Sequence, residues 1–86
     1  HALYSSGLIA GEVNWIAFDS LARPISVTVQ TRYHQKNCPA TIMPWENGAV
    51  RVNFVQPQRA ITQGQAAVFY DEDTVLGGGT ILQSIP

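Results

Sequence analysis

Apolar and polar residues alternate with a period of two along most of this chain, and no stretch shows a convincing helical repeat. Within residues 25–33 the apolar positions are Ile25, Val27, Val29 and Tyr33, and polar residues separate them. Such alternation predicts a β-strand with one buried and one solvated face. We therefore expect an all-β fold.

Two turn signals divide much of the remaining chain into hairpins. Asn47-Gly48 is the strongest kind of short-range hairpin signal, and the acidic run at 71–73 also favours a turn. Strands are predicted at 8–16, 25–33, 40–45, 50–55, 65–70, 74–76 and 80–85. Short strands at this spacing predict a barrel or a sandwich. A small closed barrel of about six mainly antiparallel strands is preferred because closure removes exposed sheet edges.

The length and charge of the chain limit its function. Its 86 residues suffice for one domain, which would bury about 60% of its unfolded surface. Five Lys and Arg residues against six Asp and Glu residues argue against an autonomous module that binds nucleic acid strongly. No apolar run is long enough to span a membrane, so no membrane partner is expected.

The start of the chain and its cysteine content suggest where the protein works. The first residue is His1 and no signal peptide follows it, so we expect a boundary inside a larger protein. A single cysteine, Cys38, cannot form an internal disulfide and fits a reducing compartment. A cytoplasmic location is predicted.

No catalytic, cofactor-binding or metal-binding residue is expected in this chain. His34 and Cys38 would lie about 13 Å apart in a strand, too far for a nucleophile–base pair. Together with His1 they lack the paired spacing of metal ligands. Cys38 is therefore expected to be a loop cysteine without a role.

The glycine run at 77–79 lacks the context of a phosphate-binding loop. Phosphate loops lead into a helix, whereas Thr80 begins a predicted strand. The glycines are expected to permit a bulge, a barrel corner or the close approach of another backbone. An approaching RNA backbone stays open as an alternative.

A small basic patch is predicted from the strand pattern. Arg32 and His34 share the outward face of one predicted strand, and Arg51 lies outward on another. These side chains would form a patch if the two strands were neighbours.

Three motifs in the second half of the chain carry a family resemblance. They are PQRAIT at 57–62, GQAAVFYD at 64–71 and LGGG at 76–79, supported by Val13-Asn14-Trp15 and Thr31-Arg32-Tyr33. The pattern resembles the C-terminal domain of bacterial tRNA-specific 2-thiouridylases, formerly named tRNA (5-methylaminomethyl-2-thiouridylate) methyltransferases. Glu72 replaces a glycine that is frequent in the family, and His34 stands where arginine is common.

The resemblance implies an accessory domain of an enzyme. Residues 1–86 would form one C-terminal barrel, similar to the second domain of translation elongation factors. The parent would use ATP to adenylate the C2 oxygen of the wobble uridine in tRNA, and a persulfide sulfur, passed on by a relay protein, would replace that oxygen. The nucleotide loop and catalytic cysteines would lie in an N-terminal part outside this chain.

This domain would help to hold tRNA and would pack against the rest of the enzyme. The candidate tRNA contacts are Arg32, His34, Arg51 and Arg59. The residues predicted to shape structural turns are Asn47, Gly48, Gly64, Gly77, Gly78 and Gly79.

Two alternatives stay open at the level of sequence. The barrel could be purely structural, docking through an exposed Trp15 or Trp45 without meeting RNA. It could also be a free-standing barrel like that of a translation factor.

Overall fold

The computed structural model describes residues 4–33 and 35–86 and contains six β-strands with one turn of 3-10 helix at Glu46–Gly48. The strands are β1 (Tyr4–Trp15), β2 (Ile25–Gln30), β3 (Cys38–Pro44), β4 (Val50–Arg59), β5 (Ala66–Asp71) and β6 (Thr74–Ile85). The predicted all-β fold is confirmed. No helix in the described ranges has the length and apolar character needed to cross a membrane.

The six strands form a closed barrel in the order β1-β4-β3-β2-β5-β6, and β6 pairs back onto β1. Every neighbouring pair is antiparallel. The predicted barrel is confirmed. Closure gives both edges of the sheet a partner, so a small sheet leaves no edge open to aggregation.

Inward-facing apolar side chains fill the barrel. The largest fully buried ones are Phe69, Leu8, Ile42, Ile81, Val29, Val50 and Val52. They come from all six strands, and each stabilises the fold by about 1.5–3 kcal/mol through burial. At the end of β1 the Trp15 ring packs against Phe69 at 5.6 Å between centroids and against Phe18 at 4.9 Å.

The strand predicted over residues 25–33 is too long. β2 ends at Gln30, Arg32 lies in the following bend, and the Tyr33 side chain is 83% exposed. β3 begins opposite Val29, and the ladder with β5 ends at Gln30 opposite Val68. The chain beyond Gln30 therefore leaves the ladder, and alternation alone could not show this.

The two strands predicted at 74–76 and 80–85 are one continuous strand, β6. Gly77, Gly78 and Gly79 lie inside it, so their predicted place at a turn is wrong, whereas the close approach of another backbone, also predicted for them, is observed. A Cβ atom on Gly79 would come within 2.6 Å of the Gly11 carbonyl oxygen, and one on Gly78 within 2.8 Å of the Ala67 oxygen. These glycines allow β6 to run close to both neighbouring strands.

Three turns use left-handed backbone. Asn47 and Gly48 have φ values of 55° and 77° in the β3–β4 connection. Gly64 has a φ of 92° before β5, and its N–H donates to the Ile81 carbonyl at 2.8 Å. Glu72, in the two-residue turn between β5 and β6, has a φ of 53°.

Candidate nucleic-acid interface

Antiparallel pairing sorts the connections onto two ends of the barrel. The β2–β3 loop (31–37) and the β4–β5 loop (60–65) lie at one end, where β1 begins. The β1–β2 loop (16–24), the β3–β4 connection (45–49) and the β5–β6 turn (72–73) lie at the other. We call the first the basic end and the second the acidic end, for the charges described next.

Three of the five Lys and Arg residues of the chain lie at the basic end. Arg32 and Lys36 come from the β2–β3 loop, and Arg59 is the last residue of β4. All three are exposed. No Asp or Glu side chain lies at this end among the residues that the structure describes. Among the described residues, a phosphate approaching this end therefore meets cations without a competing Asp or Glu side chain.

The carboxylates collect towards the opposite end. All six Asp and Glu residues of the chain lie in the loops and the turn at that end or in the strand residues beside them. They are Glu12, Asp19, Glu46, Asp71, Glu72 and Asp73. Glu12 and Glu46 line one groove of about 300 Å³ together with Trp45 and Leu82. The near-neutral net charge thus hides a strong separation of charge along the barrel.

A groove of about 480 Å³ opens beside Arg59 at the basic end. We call it the Tyr4 groove, and its lining residues are Tyr4, Gln35, Lys36, Asn37, Cys38, Pro39, Pro57, Gln58 and Arg59. The guanidinium carbon of Arg59 lies 5.9 Å from the centroid of the Tyr4 ring. The loop that supplies Lys36 thus meets the end of β4 across this groove.

A second groove of about 510 Å³ lies on the other side of the β2–β3 loop. Arg32 and Tyr33 line it together with Gln65 and Ala66 at the start of β5. The β2–β3 loop therefore supplies a cation to each of the two grooves.

Arg51 lies apart from this group. β2 and β4 are not neighbours, because β3 separates them in the barrel, so the predicted patch joining Arg32 to Arg51 is wrong. The Arg51 guanidinium lies 5.3 Å from the Trp45 ring centroid, and its Nε donates to Asn53 Oδ1 at 3.0 Å. Trp45 belongs to the acidic end, so Arg51 faces that half of the barrel.

The other predicted contacts are placed differently. His34 lies outside the described residues. Arg59 joins the basic end, as does Lys36, which the sequence reasoning did not single out. The hairpin predicted at Asn47-Gly48 could have revealed that Lys36 lies near Arg59. It pairs β3 with β4, and continuing that ladder brings residue 36 towards the end of β4.

Cys38 is the first residue of β3 rather than a loop residue, which corrects its predicted place. Partial burial raises the pKa of its thiol above the ordinary value. The thiol donates weakly to the Lys36 carbonyl at 3.7 Å. A raised pKa keeps the sulfur protonated at neutral pH, the reverse of what an activated nucleophile requires. Residues 4–33 and 35–86 contain no group of three His, Cys, Asp or Glu side chains able to hold a metal ion.

Residues 5–81 match the family described as the aminomethyltransferase β-barrel domain. The chain belongs to this family. The match covers all the β-strands except the outermost residues of β1 and β6, so the family's domain corresponds to the barrel itself.

Relatives of this aminomethyltransferase β-barrel domain are named tRNA-specific 2-thiouridylase MnmA. The chain is 46% identical over 83 residues to the protein of Idiomarina loihiensis, covering 96% of this chain and 22% of that protein. It is 53% identical over 79 residues to the protein of Halalkalibacterium halodurans, and the match covers 92% of this chain and 21% of that protein. The Clostridium beijerinckii protein is 48% identical over 83 residues, and the match covers 96% of this chain and 23% of that protein.

The chain therefore spans about a fifth of the length of the curated relatives it matches. The matching part is their C-terminal part, which confirms the resemblance predicted from the motifs at 57–79.

Proposed function

We propose that this barrel is the accessory tRNA-contacting domain of an enzyme that thiolates the wobble uridine of tRNA. Relatives named as tRNA-specific 2-thiouridylases support the parent activity. The observation that carries the role of this domain is the basic end, where Arg32, Lys36 and Arg59 stand exposed and no Asp or Glu side chain lies there among the described residues.

The chemistry belongs to the rest of such a parent. ATP needs a phosphate cradle, but the glycine run of this chain lies inside β6 and does not lead into a helix. Partial burial raises the pKa of the Cys38 thiol, which disfavours the thiolate that would have to attack a sulfur donor. ATP binding and the catalytic cysteines are therefore assigned to the parent's other domains. A separate sulfur-relay protein would deliver sulfur to those domains, and the parent would act in the cytoplasm.

The separation of charge supports RNA contact at one end only. A six-residue strand such as β2 is about 20 Å long, roughly two and a half times the Debye length of about 8 Å at physiological salt. Phosphates at the basic end are therefore largely screened from the carboxylates at the acidic end.

The acidic end fits a second role, docking on the rest of the parent. Ile16 is 69% exposed in the β1–β2 loop, and Trp45 is 41% exposed beside the groove that it shares with Leu82. Carboxylates around these apolar side chains would repel RNA but not protein. The two roles are compatible because they use opposite ends of the barrel.

Titration of tRNA against the 86-residue chain at several salt concentrations tests the contact. Each cation that neutralises a phosphate contributes about −0.9 to the slope of log affinity against log salt. We expect Arg32→Gln, Lys36→Gln and Arg59→Gln each to weaken binding and to make the slope shallower by about one.

Arg51→Gln is the matched control, since it removes the same charge from the other half of the barrel. It should leave both affinity and slope unchanged. Equal losses from Arg51→Gln and Arg59→Gln would contradict a contact confined to the basic end. Absence of tRNA binding at low salt would favour docking as the domain's only role.

A further inference from the structure

We infer that the Tyr4 groove binds a single unpaired nucleotide of RNA, with the base stacked at Tyr4 and a phosphate contacted by Lys36 and Arg59. The inference rests on the proposed function and extends it, because it assigns base stacking as well as phosphate contact to one groove. The groove combines two cations, an aromatic ring and several amides, and no carboxylate is among its lining residues in the described chain.

Tyr4 provides the stacking surface. Its side chain is 55% exposed although it belongs to β1, so the ring is accessible from the groove. Arg59 lies 5.9 Å from the ring centroid, near the outer limit of about 6 Å for a cation–π contact. Ring and guanidinium plane are both surfaces on which unstacked RNA bases are commonly held.

The size and lining of the groove favour one nucleotide over a duplex. Its volume of about 480 Å³ falls in the usual range of small-ligand sites, roughly 300–1,000 Å³. Bases inside a duplex have both faces covered by their neighbours, so only an unpaired base can offer a face to Tyr4. Gln35 and Asn37 line the same groove and carry donors and acceptors for a base edge.

The pair of Arg59 and Tyr4 at the basic end differs from a similar cation–aromatic pair at the acidic end in whether carboxylates lie nearby. Arg51 lies over Trp45 at 5.3 Å, so a cation and an aromatic ring meet there too. Glu12 and Glu46 line the adjoining groove, and their carboxylates would repel a phosphate. Of these two pairs, only Arg59 and Tyr4 adjoin a groove without carboxylates among its lining residues.

The test measures binding of a fluorescent five-residue oligouridylate to the 86-residue chain, with Tyr4→Leu, Tyr4→Phe and Trp45→Leu as variants. Stacking on an aromatic side chain contributes about 1–3 kcal/mol per base, so Tyr4→Leu should weaken binding by about 5- to 150-fold. The salt dependence should stay unchanged because no charge is lost. Tyr4→Phe keeps the ring and should bind like the wild type, as should Trp45→Leu.

Other outcomes separate this inference from the proposed function. Wild-type affinity in Tyr4→Leu, with a persistent loss in Arg59→Gln, would overturn the nucleotide site and leave phosphate contact standing. No RNA binding by the wild type would overturn both. Uridine monophosphate binding as tightly as the oligomer would assign the groove to a free nucleotide, and equal affinity for a hairpin duplex would overturn the requirement for an unpaired base.

Discussion

Glu72 occupies the left-handed region of backbone space, with a φ of 53°, in the turn that joins β5 to β6. A side chain in that region costs roughly 1–2 kcal/mol because its Cβ crowds the following carbonyl, and glycine avoids the clash. Asp71 and Asp73 flank it, so like charges add to the cost. The sequence already marks this position, because the acidic run at 71–73 favours a turn there.

Glu72→Gly should therefore raise the free energy of unfolding by about 1 kcal/mol, as measured by urea denaturation. Glu72→Gln separates the two causes, since it removes the charge and keeps the strained backbone. Glu46→Gly is the matched control. Glu46 does not have a positive φ, so the same substitution there should destabilise by about 0.5–1 kcal/mol. A destabilised Glu72→Gly would show that the left-handed conformation costs less than the entropy that glycine adds to the unfolded chain.

At the scale of the element, β6 runs close to a neighbouring strand on each side. It pairs with β1 along one side and with β5 along the other, and both ladders contain register shifts. None of the three glycines inside β6 has a positive φ, so they are needed for space rather than for backbone conformation.

Gly79→Ala should lower the free energy of unfolding by about 1–3 kcal/mol through overpacking. Its Cβ would come within 2.6 Å of the Gly11 carbonyl oxygen and 3.0 Å of Val13 Cγ2. Gly48→Ala is the contrasting variant, because its Cβ would meet nothing within 4 Å and only the φ of 77° opposes it, at roughly 1 kcal/mol. Urea denaturation measures both, and equal effects would mean that β6 can move away from β1.

At the scale of the whole molecule, the barrel is closed unevenly. The β2–β5 ladder contains three residue pairs, from Thr28 opposite Tyr70 to Gln30 opposite Val68, whereas β1 and β6 are paired along most of their twelve residues. A short ladder has fewer hydrogen bonds and less shared apolar area to lose on opening. The β2–β5 seam is therefore the weakest part of the wall.

Native-state hydrogen exchange should show this difference. Amides bonded between β2 and β5 should exchange through openings of lower free energy than amides bonded between β1 and β6. Uniform protection around the barrel would indicate that the wall opens only by global unfolding.

The seam borders the groove lined by Arg32, so added tRNA should slow exchange there if that groove contacts RNA.

The sequence by itself determined the all-β class, the hairpin at Asn47-Gly48, the turn near Glu72 and the family, because these depend on local alternation, on turn chemistry and on short motifs. It did not determine where β2 ends, since that depends on where β3 and β5 stop pairing with it. It also could not show that β6 is one strand, because a glycine run signals a turn as readily as a close approach of two backbones.

The candidate interface depended on the tertiary structure most of all. Arg32 and Arg59 are 27 positions apart in the chain, and the sequence placed Arg32 with Arg51 instead. Strand order decided otherwise, because β3 lies between β2 and β4 while antiparallel pairing carries residue 32 and residue 59 to the same end. A net charge is a sum over the chain and carries no information on position, so only the closed barrel could show that three of the five cations lie apart from the carboxylates.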